Sequence, residues 1–331
     1  MNPEVSIIIP AHNTANYIAR AIESALGQTL TNLEVIVVDD ASSDSTLEVI
    51  NSFVDSRLKV LVNQKNLGVS GARNQALKEA QGKWIAVLDS DDWYAPDRLE
   101  KLLQVATAEN ADIVIDDLHF IQSGDTSPWS TLLRQSGEQI HTPCQINAPY
   151  FVATGIYGQP GLHLGLSKPI IKREFLLKHE IQYDENMQVV EDFHLLLQCL
   201  VKEAYLIFVP QAYYFYLSRP GSLVTQSKVR HINQFIVSLN YFLQQDIVQS
   251  NSKLVHSLSK SLAVLEKNRA YYSVVEPLKQ KRVLTALFEF IRNPYFLVHF
   301  ISQLKLILKR RFRYYVLGDK LVYEISYRNN S

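Results

Sequence analysis

The chain has 331 residues, 47% of them hydrophobic and 20% charged, which suffices for a large core in two or three structural units and excludes long disorder. Its 33 basic and 33 acidic residues cancel, so it lacks the electrostatic footprint of a protein that grips bulk nucleic acid. Cys144 and Cys199 stand far apart and read as buried thiols, the N-terminus has no positive leader region, and no window reaches the roughly 20 apolar residues of a membrane span, so a cytoplasmic protein is expected.

The first 116 residues alternate between two periods. Short β-branched runs at 5–10, 34–38, 58–63, 84–88 and 112–115 read as strands. Between them, Ile18, Ala21, Ile22 and Ala25 share one helical face, and Leu47 with Ile50 follow a capping-type cluster at Ser42, Ser43, Asp44 and Ser45. Small residues and Leu77 mark a third helix, and Leu99, Leu102, Leu103 and Ala106 stripe a fourth with Pro96 at its start. Strand–helix alternation with continuously apolar strands predicts a mainly parallel, Rossmann-like α/β sheet covered on both faces.

From about 119 to 160 the pattern gives way to Ser, Thr, Pro and Gly, which predicts loops over a cleft. Helices are expected at 172–179 and 191–201, and two strands at 205–209 and 213–217. Beyond 229 the chain reads as helical, with stripes of Ile232, Phe235, Ile236, Leu239 and Leu243, then of Leu254, Leu258, Leu262 and Leu265. The expected organisation is therefore an α/β half over 1–118, a second half over 119–228 that begins with loops, and a helical region over 229–331.

In such sheets ligands bind beyond the carboxyl ends of the strands. Those ends carry the unusual chemistry of the first third: Pro10, His12 and Asn13; Asp39 and Asp40; residues 64–71; and Asp89-Ser90-Asp91-Asp92. Three carboxylates in four residues repel one another, and a hard divalent cation would relieve the repulsion. A solvated acidic turn is the plainer alternative. Asp39 or Asp40 suits a base or sugar edge or a helix N-cap. Gly68, Gly71 and Ala72 permit close approach of a ligand or close helix–sheet packing, with Arg73 as a forked donor. Glu191-Asp192 opens an apolar helix, where acidic residues are also favoured by the helix dipole. A Gly-x-Ser-x-Gly elbow, a Cys paired with a nearby His and zinc-type histidine spacing are all missing.

Taken in order, residues 5–13, Val37-Val38-Asp39-Asp40-Ala41-Ser42, Gly68 with Ala72-Arg73-Asn74, residues 89–92 and Glu191-Asp192 resemble the family 2 glycosyltransferases of the GT-A fold, over roughly residues 4–225. The resemblance implies an inverting enzyme that moves one sugar, a hexose or N-acetylhexosamine, from a uridine diphosphate sugar to a hydroxyl acceptor. Asp40 would bind the uracil ring and Arg73 would help hold the nucleotide. Asp91 would coordinate Mn²⁺ or Mg²⁺ at the diphosphate, with Asp89 assisting it, and Asp92 would cap the turn. Pro10, His12, Asn13, Gly68, Ser90 and Arg219 are the further donor contacts implied, and Asp192 is the implied general base. Lys168 and Arg173 resemble basic positions of the acceptor region.

Two departures bear on function. His12 stands where the family usually has Tyr, and the Gln-x-x-Arg-Trp signature of processive synthases is absent, residues 216–222 resembling instead the loop of non-processive members. The setting implied is polysaccharide or lipid-linked oligosaccharide assembly at the cytoplasmic face of a bacterial membrane. A sugar-nucleotide pyrophosphorylase and a non-catalytic relative that binds nucleotide sugars are the rivals. In the tail, Leu297, Phe300, Ile301, Leu304, Leu308 and Phe312 fall on one helical face flanked by Lys305, Lys309, Arg310, Arg311 and Arg313. Such a stripe suits peripheral contact with an anionic membrane, or packing on the catalytic domain with a solvated basic rim.

Overall fold

Strand β1 (Val5–Ala11) is buried at every position, as its mostly apolar run requires of a strand covered on both faces. The structure, a computed structural model, describes residues 2–219 and 227–293 together with Phe296, Leu297, Phe300, Ile301, Leu304, Leu308 and Phe312. Beside β1 lie β2 (Leu33–Asp39) and β3 (Leu58–Val62) on one flank and β4 (Trp84–Val87) on the other, all parallel. The connecting helices are α1 (Ile18–Leu26), α2 (Thr46–Asn51) and α3 (Gly68–Glu79). α1 buries Ile18, Ala21, Ile22 and Ala25, the stripe expected from sequence.

After β4 come β5 (Trp93–Tyr94), α4 (Arg98–Ala108) and β6 (Ile113–Gln122). The expected division at 118/119 falls inside β6, which pairs along its whole length with β10 (Leu206–Ser218). β10 replaces the two predicted strands with one, and register shifts between Val209 and Tyr214 absorb the break in pattern. The predicted loop region also holds more structure than expected: β7 (Ser130–Thr131), α5 (Leu132–Ser136), β8 (Cys144–Ile146) and α6 (Ala148–Thr154). Polar caps rather than apolar periodicity start these helices, Thr131 accepting from the Arg134 amide and Asn147 from that of Tyr150.

β9 (Ile170–Lys172) slots antiparallel between β4 and β6, then α7 (Arg173–Lys178) and α8 (Glu191–Val201) follow. The sheet runs β3-β2-β1-β4-β9-β6-β10-β5, a parallel block joined through one inverted strand to a mixed one. Beyond it lie α9 (Lys228–Leu243), α10 (Asp246–Gln249), α11 (Ser252–Lys279) and α12 (Val283–Arg292).

Two compact units divide the chain, residues 1–218 with 246–257, and residues 219–245 with 258–331, so the break falls ten residues before the expected 228/229. In the second unit Ala286 of α12 and Phe296 pack with Val274 of α11. The Glu276 carboxylate accepts from the Lys228 amide at 2.6 Å, where the positive end of α9 favours an anion. Among the described residues no helix is long and apolar enough to cross a membrane.

Candidate active site

The loops leaving β1 and β2 are laced together. The His12 ring nitrogen Nδ1 lies 2.9 Å from the Asp40 carbonyl oxygen, and the Asn13 amide donates to Ser42 Oγ at 3.0 Å. Ser43 returns a bond from its amide to Asn13 Oδ1 at 2.8 Å. Asn13 and Ala41 both take positive φ, 52° and 57°, so each strand ends in a sharp turn of a kind that clusters at functional sites. His12 and Asn13 remain exposed above buried Pro10.

Asp40, expected at a base edge, has a different partner set. It is 2% exposed, and its carboxylate accepts from the side chain of Asn63 and the amides of Leu67 and Gly68 at 2.8–3.0 Å. It thereby fixes the approach to α3, which Gly68 enters with φ +77°. Open space surrounds the position of a Cβ there, so backbone strain alone selects glycine.

One face of α3 positions α8. Asn74 exchanges two hydrogen bonds with the backbone of Tyr183, and Ser70 donates to the Met187 carbonyl at 2.6 Å. These bonds hold the segment leading to Glu191 and Asp192. Between them stands Arg73, with a side chain 0% exposed and turned to carboxylates. Its Nη1 donates to Asp192 at 2.8 Å and to Glu191 at 3.0 Å, and its Nη2 to Asp89 at 2.5 Å. Lys168 closes the circuit: its ammonium lies 2.8 Å from the other oxygen of Asp89 and also bonds the other oxygen of Asp192. Asp89, Arg73, Asp192 and Lys168 thus form a ring of alternating charge.

Burial by itself would raise the Asp89 carboxyl, but Lys168 and Arg73 overcome it and hold the group well below the usual carboxylate range. Burial, reinforced by the charge of Asp192, raises Glu191 despite Arg73. Tyr183 lies under the Arg73 guanidinium, 5.0 Å from ring centre to Cζ, and its phenol donates to Asp192 at 3.4 Å.

The acidic run 89–92 therefore separates into three environments. Asp89 belongs to the ring. Asp92 is 1% exposed and does more than cap the turn: it accepts the Tyr214 phenol at 2.6 Å and the Leu217 amide at 2.8 Å. Burial, then the charges of Asp91 and Asp89, push the Asp92 carboxyl well up. Asp91 is half-buried at the lip, where Arg20 reaches its backbone carbonyl at 3.5 Å and stacks 3.4 Å over the Trp93 ring.

Carboxylate oxygens are hard donors suited to Mg²⁺ or Mn²⁺. Among the described residues no group of three or more His, Cys, Asp or Glu side chains is arranged to hold an ion alone. Asp89, expected to assist a metal, has both oxygens on cationic side chains. A cation at Asp91 would thus draw its other ligands from phosphate oxygens and water, which is how Mg²⁺ is commonly held, so the residues present fit one that arrives with a diphosphate.

The family model of Glycosyl transferase family 2 matches residues 6–163. The Succinoglycan biosynthesis protein ExoO of Rhizobium meliloti (strain 1021) is 32% identical over 310 residues, 93% of this chain and 87% of that protein. The chain belongs to glycosyl transferase family 2. This transferase is also similar to UDP-Glc:alpha-D-GlcNAc-diphosphoundecaprenol beta-1,3-glucosyltransferase WfgD of Escherichia coli, 41% identical over 119 residues, which cover 36% of the chain and 47% of that protein. Its fold matches the crystal structure of S. aureus TarS 1-349 in complex with UDP, with a TM-score of 0.59 at 22% identity over 88% of this chain and 80% of that one. The fold is the GT-A arrangement expected from the sequence motifs.

The transferase brings Arg73, Asp89, Lys168, Glu191 and Asp192 together, and places Pro10, His12, Asn13, Asp40 and Gly68 at the neighbouring strand ends β1 and β2 and the start of α3. Ser90 is buried next to the ring. Arg219 falls in the second unit, and Pro220, Gly221 and Ser222 of its loop lie outside the described residues. Arg173 opens α7, its amide bonded to the Lys83 carbonyl. Sequence motifs missed Tyr183 and Tyr214, because no local pattern marks a tyrosine whose partners are 9 and 122 residues away.

Proposed function

We propose that this glycosyltransferase moves one sugar from a uridine diphosphate sugar to a hydroxyl acceptor with inversion, in the assembly of a polysaccharide or lipid-linked oligosaccharide at the cytoplasmic face of a bacterial membrane. One observation carries the assignment: Asp89, at the strand end where a donor would lie, and Asp192, at the start of α8, are held by the same two cations, Arg73 and Lys168. The names of two relatives support it, one concerning succinoglycan biosynthesis and the other transfer from UDP-Glc to a lipid diphosphate-linked sugar.

In this scheme Asp192 takes the proton of the acceptor hydroxyl as that oxygen attacks the anomeric carbon. The carbon–oxygen bond to the diphosphate breaks on the opposite face, and the nucleoside diphosphate leaves. Asp91 would hold Mg²⁺ or Mn²⁺, which supplies charge stabilisation to the departing diphosphate. His12 and Asn13 present the polar rim of the donor pocket. Buried Arg73 keeps Asp192 aimed.

The test is release of nucleoside diphosphate from a panel of nucleotide sugars, with Mn²⁺ or with chelator. Metal-dependent release from a UDP sugar in the presence of an acceptor is expected. A requirement for pyrophosphate or a nucleoside triphosphate would indicate a pyrophosphorylase, and binding without turnover a non-catalytic relative.

Peripheral membrane contact is favoured by a second observation. α12 buries Ala286 yet leaves Leu284 84% and Ile291 73% exposed, and Ile301 beyond it is 65% exposed. Lys305, Lys309, Arg310, Arg311 and Arg313 of the expected basic flank lie outside the described residues. Together the apolar face and basic sequence suit an anionic lipid surface. Flotation with phosphatidylglycerol vesicles, lost in a Leu284→Gln/Phe288→Gln/Ile291→Gln variant, is expected; equal flotation of both proteins would refute it.

A further inference from the structure

Lys168 sits in a stretch, 139–173, that carries no acidic residue, yet it is a tightly placed cation of the site. Its side chain is 6% exposed and contacts both Asp89 and Asp192. Its backbone is tied as firmly. The Lys168 carbonyl accepts from Arg98, whose side chain is 0% exposed and pairs with Asp116 at 2.8 Å. One residue on, the Pro169 carbonyl accepts from the Val87 amide at 3.2 Å, which pins the segment beside the strand end that carries Asp89.

Asp89 and Asp192 belong to elements far apart in sequence, and their like charges repel across the site. Arg73 bridges them from the α3 side only. We propose that Lys168 is a positioning residue for glycosyl transfer, fixing the donor-side carboxylate Asp89 and the acceptor-side carboxylate Asp192 in one geometry so that deprotonation and departure of the diphosphate are aligned. Its role rests on Asp192 being the general base. Misplacement by about 1 Å costs an enzyme on the order of 10²-fold in rate, so an aligning contact acts on turnover more than on binding.

The experiment is a double-mutant cycle on the full chain, with Lys168→Met, Lys168→Arg, Asp192→Asn and the Lys168→Met/Asp192→Asn pair, each checked for folding by thermal unfolding. Lys168→Met is expected to lower kcat by about 30- to 100-fold with the KM of donor and acceptor changed less than about threefold. Lys168→Arg, which keeps the charge, recovers part of that loss. The pair is expected to be no slower than Asp192→Asn alone, since without the base there is nothing left to align. A Lys168→Met kcat within threefold of wild type, or a pair slower than Asp192→Asn by the full Lys168→Met factor, overturns the proposal. If Lys168→Met does not fold, Lys168→Arg combined with Asp192→Asn decides in the same way: non-additive losses support it, additive losses overturn it. Near-normal turnover of Asp192→Asn alone would instead remove the base assignment, whatever the lysine variants do.

Discussion

Arg73 Nη1 lies 2.8 Å from Asp192 Oδ1 and joins α3 to α8 across 119 residues. A residue whose motif points to the nucleotide instead grips the carboxylate proposed as base. Arg73→Met would leave Asp89, Glu191 and Asp192 with Lys168 as the remaining cation of the ring. Breaking one side of a buried ion pair costs about 3–5 kcal/mol, so a loss of that size is expected in urea unfolding. Arg73→Lys should fall between, because an ammonium keeps the charge but lacks the planar fork that reaches Asp89, Glu191 and Asp192 from two nitrogens.

Asp192→Asn keeps the shape of the side chain and removes its capacity to take a proton. Turnover should fall by about 10²–10⁴, with donor affinity largely intact. Steady-state kinetics beside a donor titration would check both, and a kcat near wild type would refute the role of base.

Asp91→Ala should abolish metal-dependent binding of UDP. Calorimetric titration of UDP with Mn²⁺, and again with chelator, reads this directly. An affinity for UDP that is the same in wild type and variant under both conditions would exclude Asp91 as ligand.

His231 in α9 makes stability depend on pH. Burial lowers its ring from 6.5 to about 4, so the folded state stays neutral where the unfolded chain protonates. The resulting stability is present in full above 6.5 and is lost as the pH falls towards 4, to a total on the order of 3 kcal/mol. His231→Phe should remove this acid-side slope. Denaturant unfolding of both proteins at pH 7.5 and pH 4.5 would show whether the difference between them changes with that sign.

The strands and helices of the first 116 residues were legible because each is specified locally, by a period of apolar residues and a cap or turn at its end. β6 and β10 were misdivided for the same reason. Their pairing compensates for polar positions such as Asp116, which Arg98 neutralises from α4. The acidic run shows the limit of charge counting. Three carboxylates in four residues suggested either a metal or a solvated acidic turn. Arg73 and Lys168 neutralise Asp89, and Asp92 turns inward to Tyr214, so neighbouring carboxylates of one run meet different environments.

Sequence alone determined the family, the GT-A sheet and the strand ends at which the chemistry collects, because apolar periodicity and short motifs are properties of neighbouring residues. Only the tertiary structure decided what those motif residues touch. Asp40 turns to the backbone of the loop before α3, and Arg73 and Lys168 turn to Asp89 and Asp192. The physical reason is that a buried charge must find its counter-charge, and here the partners come from elements up to 119 residues apart that meet only when the sheet forms.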